Sequence, residues 1–255
     1  MPEGDSVAGH ARRLESVLVG RIITTVAGTS PSLRRGSGQI LDATATAIRT
    51  VGKHLIIDFD TGYSIRVHLG MSGRWVVLDR SRLPHGSARL VLSTQTHHVA
   101  CHSATVDVGR TESIDNQVSH LGPDVLGEFE EEEFLARARM LPGAAMAALL
   151  VDQRVLAGIG NVYKSELLFL EGIHPDTPAA SASDDQLLAL ARRAQKLLAA
   201  NIGRVRSTTG ARAREQEMWV YGRAGKPCRR CGTAIIEEER QDRVTYWCPT
   251  CQSLP

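Results

Sequence analysis

Four cysteines near the end of the chain have the spacing that holds a metal. Cys228 and Cys231 form one Cys-x2-Cys pair and Cys248 and Cys251 a second, with 16 residues between the pairs. Each pair bends into a knuckle that aims two thiolates at one point. Two pairs complete a tetrahedron around one Zn²⁺, with Zn–S bonds of about 2.3 Å. Two disulfides are the other use of four cysteines, but a cytosolic setting keeps thiols reduced and favours metal. With sulfur in all four positions no place remains for water or substrate, so this zinc is expected to be structural. Cys101 stands apart in an alternating apolar run with Val99 and reads as a small buried hydrophobe.

A second chemistry lies at the other end. Pro2 follows Met1, and removal of Met1 would uncover a secondary amine with Glu3 directly after it. Such an amine has a pKa well below the ~10.4 of lysine, so more of it is neutral and nucleophilic near pH 7. Its attack on an aldehyde-like carbon gives an iminium, an electron sink for elimination. A third candidate is Gly158-Ile-Gly160-Asn161, just ahead of a helical pattern. Bare amides at a helix N-terminus suit a phosphate, although a helix C-cap turn also uses this spacing.

Charge points the same way only locally. Thirty basic residues against 28 acidic ones give +2, and only Lys53, Lys164, Lys196 and Lys226 are lysines. Between residues 201 and 235 stand Arg204, Arg206, Arg212, Arg214, Arg223, Lys226, Arg229 and Arg230, against Glu215 and Glu217. That excess reads either as an anion-binding face, with phosphate the anion, or as an arginine-rich solvated surface.

These residues need elements to position them. The length of 255 residues allows one or two domains. Apolar residues at Val7, Ala11, Leu14 and Leu18 predict a helix from Ser6 to Leu18, capped by Ser6 or Asp5. From Ile22 to about Val108 the pattern alternates. Runs at 55–59, 64–68, 75–78, 89–92 and 98–102, broken by glycine turns, predict an antiparallel sandwich or barrel. Residues 109–125 are polar and read as a linker. Helical periods follow at 130–140, 144–151, 162–170 and 184–200, and the acidic run Glu128 to Glu133 suits a helix N-terminus. Strands at 233–236 and 243–247 would make a hairpin between the cysteine pairs. No stretch reaches the ~20 apolar residues of a membrane span, and the opening residues hold no secretory signal. A cytoplasmic protein is expected, not a secreted one.

Six motifs then occur in one order: Met1-Pro-Glu-Gly4, Val51-Gly-Lys53-His-Leu55, His68-Leu-Gly-Met71-Ser-Gly73, Gly158-Ile-Gly-Asn161-Val-Tyr163-Lys-Ser-Glu166, Val220-Tyr-Gly-Arg-Ala-Gly225 and the four cysteines. Over essentially its whole length the chain resembles the formamidopyrimidine-DNA glycosylase/endonuclease VIII family of base-excision repair enzymes. The resemblance implies an α+β fold. An N-terminal helix with an antiparallel β-sandwich (1–110) and a linker (111–125) would precede a helix-two-turn-helix domain (126–215) and a zinc-finger hairpin (216–255).

It also implies roles. Pro2 would attack C1′ of the damaged nucleoside and form a Schiff base. Glu3 would protonate the sugar ring oxygen, and Lys53, the only lysine in the first 160 residues, would assist β-elimination. Arg243, five residues before Cys248, would contact phosphate and promote δ-elimination. Asn161 would bind phosphate, and Met71 would wedge into the void left by the flipped base. The implied cofactor is one structural Zn²⁺ and the implied partner is damaged DNA, bound by a nucleoid-associated monomer without a membrane.

Three departures bear on activity and lesion. Family members usually carry a second Glu where Ser6 stands, with Asp5 one position earlier. Ser103 to Arg110 replaces the Asp-x-Arg-x-Phe-Gly turn of the formamidopyrimidine branch. The stretch from Asn201 to Trp219 is short for the loop that covers 8-oxoguanine. The form of His68–Gly73 is typical of the formamidopyrimidine branch, but the balance favours endonuclease VIII. The resemblance therefore implies a bifunctional glycosylase and lyase acting chiefly on oxidised pyrimidines by β,δ-elimination. An 8-oxoguanine glycosylase and a catalytically weakened zinc-dependent binder of damaged DNA are its rivals.

Overall fold

The computed structural model describes residues 1–84, 86–210, 217–240 and 243–254. Arg212, Arg214 and Glu215 of the basic stretch, and the expected boundary at 215/216, lie outside the described residues. By its internal contacts the chain divides into two units, Met1–His120 and Leu121–Pro255.

The first unit opens with helix α1 (Gly4–Leu18), which starts two residues before the position expected from apolar spacing. Glu3 holds the N-cap position, not Ser6 or Asp5. Its backbone is extended and its carbonyl accepts the amides of Ser6 and Val7 at 3.0 and 3.1 Å. Asp5 thus lies inside the first turn, where the helix dipole favours an acid. Val7, Ala11, Leu14 and Leu18 form the buried face.

Among the described residues eight strands follow: β1 (Thr25–Ala27), β2 (Ala45–Val51), β3 (His54–Phe59), β4 (Tyr63–His68), β5 (Arg74–Asp79), β6 (Leu90–Ser93), β7 (His97–His102) and β8 (Thr105–Arg110). The short helix α2 (Leu33–Gly36) interrupts the run between β1 and β2. Two antiparallel sheets result, ordered β1-β6-β7-β5 and β2-β3-β4-β8. Leu55, Ile57, Ile65, Val67 and Val106 from one sheet share a core with Leu90, Leu92, Val99 and Cys101 from the other, and α1 adds its apolar face. That is a sandwich. Alternation alone had indicated five strands. β2 is only half-buried and β1 spans three residues, so neither makes a strong period.

Residues 109–125, read as a linker, carry the end of β8 and helix α3 (Thr111–Asn116). α3 buries one side chain, Ile114, and Asp115 accepts an ion pair from Arg49 of β2 at 2.6 Å. α3 itself holds one apolar residue, Ile114, too few to set a helical period of its own.

The second unit contains α4 (Glu131–Arg139), α5 (Met146–Val151), α6 (Asn161–Glu171), a 3-10 turn at Ala179–Ser181 and α7 (Asp184–Asn201). α4 carries Glu131, Glu132 and Glu133 in its first turn, as expected. α7 begins with a capping box between Ser183 and Gln186. Phe134, Leu149, Leu150, Tyr163, Leu167 and Leu190 belong to the helical core. The hairpin consists of β9 (Ile236–Arg240) and β10 (Arg243–Trp247), paired antiparallel with Trp247 opposite Ile236. The first strand therefore begins where 233–236 had been expected to end. Thr233 to Ile235 instead pair back onto the first knuckle, with Cys228 N–H to the Thr233 carbonyl at 2.7 Å.

Candidate active site and phosphate clamp

In the first unit the topology gathers the catalytic candidates at one end of a sheet. β2 and β3 pair with Val51 opposite His54, so Gly52 and Lys53 form a two-residue hairpin turn. Gly52 has φ +58°, the left-handed value that the first position of such a turn requires. His54 is paired across to His68, and the loop bearing Met71 leaves directly after His68. Lys53 and the Met71 loop thus belong to the same sheet end.

α1 brings Pro2 and Glu3 to that end. It packs along β2 and β3, and its C-terminal end is tied to the start of β2 by Gly20 N–H donating to the Ala45 carbonyl at 2.8 Å. Fifteen helical residues run for about 22 Å, close to the length of the seven-residue strand. The helix N-terminus therefore points toward the Gly52–Lys53 turn. Pro2 is half-buried there and Glu3 is fully buried. Asp5 is also buried, and the Ser6 hydroxyl donates to its carboxylate at 3.2 Å.

Met71 is 80% exposed, so the turn does not feed the core. Gly73 closes its loop: Gly73 N–H donates to the Leu69 carbonyl at 2.8 Å, and a Cβ at Gly73 would lie 2.2 Å from that oxygen. Around Lys53 stands a histidine pair that the sequence reading did not single out. The rings of His54 and His68 are 4.8 Å apart. Burial, with the charges of His68, Arg66, His120 and Lys53, pushes His54 down to about 3. Burial, then Lys53 and Arg66, also lowers His68. Arg66 is fixed by Asp107 at 2.6 Å. At neutral pH both rings are uncharged, and the cationic groups beside them are Lys53 and Arg66. Cys101 is buried and its thiol is pushed up to about 12, so it is an inert hydrophobe.

The second unit holds the other candidates. Between α5 and α6 the chain makes two turns. Gln153 staples them, donating to the carbonyls of Val151 and Ile159 at 2.9 Å each and accepting from Gly158 N–H at 3.1 Å. Gly158 has φ +105°, and Gly160 caps α6 so that Asn161 is its first residue. The Asn161 amide donates to the Val244 carbonyl on β10 at 2.7 Å, next to Arg243. Asn161 and the strand bearing Arg243 are thereby brought together. Arg243 is exposed and lines a cleft of about 270 Å³ with Lys164, Arg240, Thr245, Asp176 and Ala147. Arg240 is committed to Asp176 and Glu238, both at 2.7 Å, and lies 4.4 Å over the Trp247 ring.

Two charged residues inside α6 escaped the sequence reading. From Asn161 to Phe169 every α6 residue is buried, Lys164 and Glu166 included. Glu166 accepts the backbone amides of Trp219, Val220 and Tyr221 at 2.8, 2.9 and 2.8 Å, and the hydroxyl of Thr208. The signal available in the sequence was two charges within the apolar run 162–170.

The four cysteines fit zinc. Their sulfurs all lie within 4.8 Å of one another, with Cys228–Cys251 at 3.9 Å and Cys231–Cys248 at 3.5 Å. A tetrahedron with 2.3 Å bonds has edges of about 3.8 Å, whereas a disulfide needs about 2.05 Å. All four are free thiols, which removes the disulfide alternative. The knuckle amide of Arg230 points at Cys228 Sγ, 3.4 Å away. Arg230 also stacks over Phe169 and Trp219 at 4.4 and 5.4 Å, joining the zinc site to α6.

Three models of known domains match the chain in order. Residues 1–110 match the formamidopyrimidine-DNA glycosylase N-terminal domain, 121–213 the H2TH domain of the same glycosylase, and 225–254 the zinc finger found in FPG and IleRS. The chain belongs to the formamidopyrimidine-DNA glycosylase/endonuclease VIII family. It is 41% identical to "Probable endonuclease 8 2" of Streptomyces coelicolor, over all of this chain and 95% of that one. It is 38% identical to the "DNA-(apurinic or apyrimidinic site) lyase Nei2" of Mycolicibacterium smegmatis, over 99% of each. The formamidopyrimidine-DNA glycosylase of Lactococcus lactis, solved bound non-covalently to DNA containing an abasic site, shares the fold. Its TM-score is 0.85 at 24% identity, over 99% of this chain and all of that one. Among the described residues no helix is long and apolar enough to cross a membrane.

Proposed function

We propose that this chain is a bifunctional DNA glycosylase and abasic-site lyase that removes oxidised bases, chiefly oxidised pyrimidines. What supports the reading is the topology of the first unit: Lys53 and exposed Met71 lie at one end of the sheet, and α1, tied at its other end to the start of β2, directs Pro2 and Glu3 toward it. The damaged nucleotide is flipped out and Met71 occupies its place in the stack. The Pro2 amine bonds to C1′ as the bond from C1′ to the base breaks, and the base leaves with a proton. Glu3 gives a proton to the ring oxygen as the ring opens, leaving a cationic iminium at C1′. Loss of a C2′ proton, assisted by Lys53, expels the 3′-phosphate. A second elimination, with Arg243 on the phosphate, expels the 5′-phosphate. Asn161 has two amide hydrogens, and one is used on Val244, so the other serves a DNA phosphate. The protein acts as a monomer on damaged DNA at the cytoplasmic nucleoid, with the zinc holding the hairpin in shape.

The chemistry requires Met1 to be removed, since with Met1 attached the Pro2 nitrogen is an amide. Borohydride reduction of the mature protein on a duplex with one abasic site should therefore give a covalent adduct. An N-terminally extended form should give none. Wild-type protein that binds the duplex without any adduct would overturn the lyase reading. It would favour the non-catalytic one, which rests on Ser6 standing where a carboxylate is usual and bonded to Asp5. Faster excision from thymine-glycol than from 8-oxoguanine duplexes is expected, and the reverse order selects the 8-oxoguanine reading.

A further inference from the structure

We infer that Lys164 is a positioning residue that sets the orientation of Asn161 and joins it to the strand carrying Arg243. This rests on the reading of Asn161 and Arg243 as DNA-phosphate contacts. Lys164 is 1% exposed. Taking an ammonium out of water is costly, and an apolar residue of similar volume would fill the same space without that cost. The cost is offset by acceptors at three places: Asn161 Oδ1 at 2.6 Å, Thr245 Oγ1 at 2.8 Å and the Val244 carbonyl at 3.4 Å. One of these is the helix residue of the clamp. The other two flank each other on β10, immediately after Arg243.

The consequence for Asn161 is specific. A carboxamide can sit in either of two flips, one presenting N–H and the other C=O. An ammonium beside one end admits only oxygen there. Lys164 therefore locks Oδ1 inward and turns the NH₂ group to the Val244 carbonyl, which leaves a donor for an anion. In the opposite flip Asn161 would offer oxygen to a phosphate, and the contact would be repulsive. The buried charge also lies on the same cleft as Arg243 and adds to the attraction for an anion. The bonds to Thr245 and Val244 make the helix end and the strand one rigid body, so a phosphate held by Asn161 meets Arg243 at a fixed distance.

The test compares Lys164→Met, Thr245→Val and the double variant, each checked for zinc content and thermal midpoint. Binding is measured on a duplex with a stable abasic analogue, and borohydride trapping on a natural abasic site at saturating DNA. Lys164→Met should weaken binding about tenfold, the scale of losing hydrogen bonds to a charged group. The fraction of δ-elimination product should fall, while saturated trapping stays within about twofold because Pro2 belongs to the other unit. Thr245→Val should shift both readouts the same way by less, and the double variant should be no worse than Lys164→Met, as for members of one network. A merely structural lysine would lower the midpoint without separating affinity from trapping. Lys164→Met protein that keeps its zinc and binds within twofold of wild type would overturn the inference. If Lys164→Met does not fold, unchanged binding and product ratio in Thr245→Val overturn it instead. Wild-type protein whose binding ignores salt would count against the phosphate-contact reading itself, and a tenfold loss in Lys164→Met alone would not restore it.

Discussion

Met71 is 80% exposed, while Leu69 and Trp75 on either side of its loop are buried. A thioether in water gains nothing for the fold, so its removal should separate stability from function. Met71→Ala should leave the thermal midpoint nearly unchanged, within about 0.5 kcal/mol of stability. Affinity for a duplex with an abasic analogue should fall several-fold. Equal affinity for Met71→Ala and wild type would remove the wedge role. His54 makes the opposite prediction, in stability. Its ring is held near neutral by burial and by His68, Arg66, His120 and Lys53, with its pKa down to about 3 from an ordinary 6.5. Above pH 6.5 the folded and unfolded chains both keep the ring neutral. Below it the unfolded chain takes up a proton that the folded chain refuses, so stability drains away as pH falls from 6.5 toward 3. His68 and His10 are shifted the same way and add to the loss. The midpoint of His54→Phe should therefore fall less than that of wild type between pH 7 and pH 5. Parallel decline in the two proteins would show that His54 is not the group responsible.

At the scale of elements, α6 is the connector of the second unit, and its two buried charges do different work. Lys164 faces the hairpin, and Glu166 gathers the amides of residues 219–221. A carboxylate accepting three N–H groups has no neutral substitute of the same shape. The NH₂ of a glutamine must face one of those donors. Glu166→Gln should cost roughly 1.5–3 kcal/mol, the range for hydrogen bonds to a charged group, seen as a lower denaturation midpoint. A loss under 0.5 kcal/mol would mean that residues 219–221 are held by other contacts. This element also marks the limit of sequence reading. Strong periods such as Val7-Ala11-Leu14-Leu18 and the core strands were legible because one face is apolar and the other is not. α6 is buried all round, so period says nothing about which charges are inside. The four cysteines were legible from spacing alone, because tetrahedral geometry restricts how the chain can run between ligands. Glu3 as the N-cap position was not, because its cap is made by a backbone carbonyl and not by a side chain. α3 was hidden for the reason that hides most short helices: a single apolar residue, Ile114, carries its packing.

At the scale of the whole molecule, the buried apolar side chains of the described residues group into three clusters. One joins α1 to the two sheets of the first unit, a second lies among α4 to α7, and a small third contains Phe169, Val220, Cys228, Ile235 and Cys248. The third is too small to hold a hairpin alone. Domains of this size below about 40 residues generally need a metal or disulfides, and here the thiolates supply the metal site. Zinc binding is then folding free energy for the hairpin, and through Lys164, Asn161 and Glu166 for α6 as well. The bonds named here lie within the second unit. Calorimetry should accordingly resolve two transitions. A strong zinc chelator should lower one of them, by roughly 10 °C if about 3 kcal/mol is lost from a unit of this size, and leave the other in place. The same treatment should abolish the salt-dependent part of DNA binding, because Arg243 and the Val244 partner of Asn161 lie on the zinc hairpin. A single transition that moves as a whole on chelation would mean that zinc stabilises the sandwich too, and that the cores do not unfold independently.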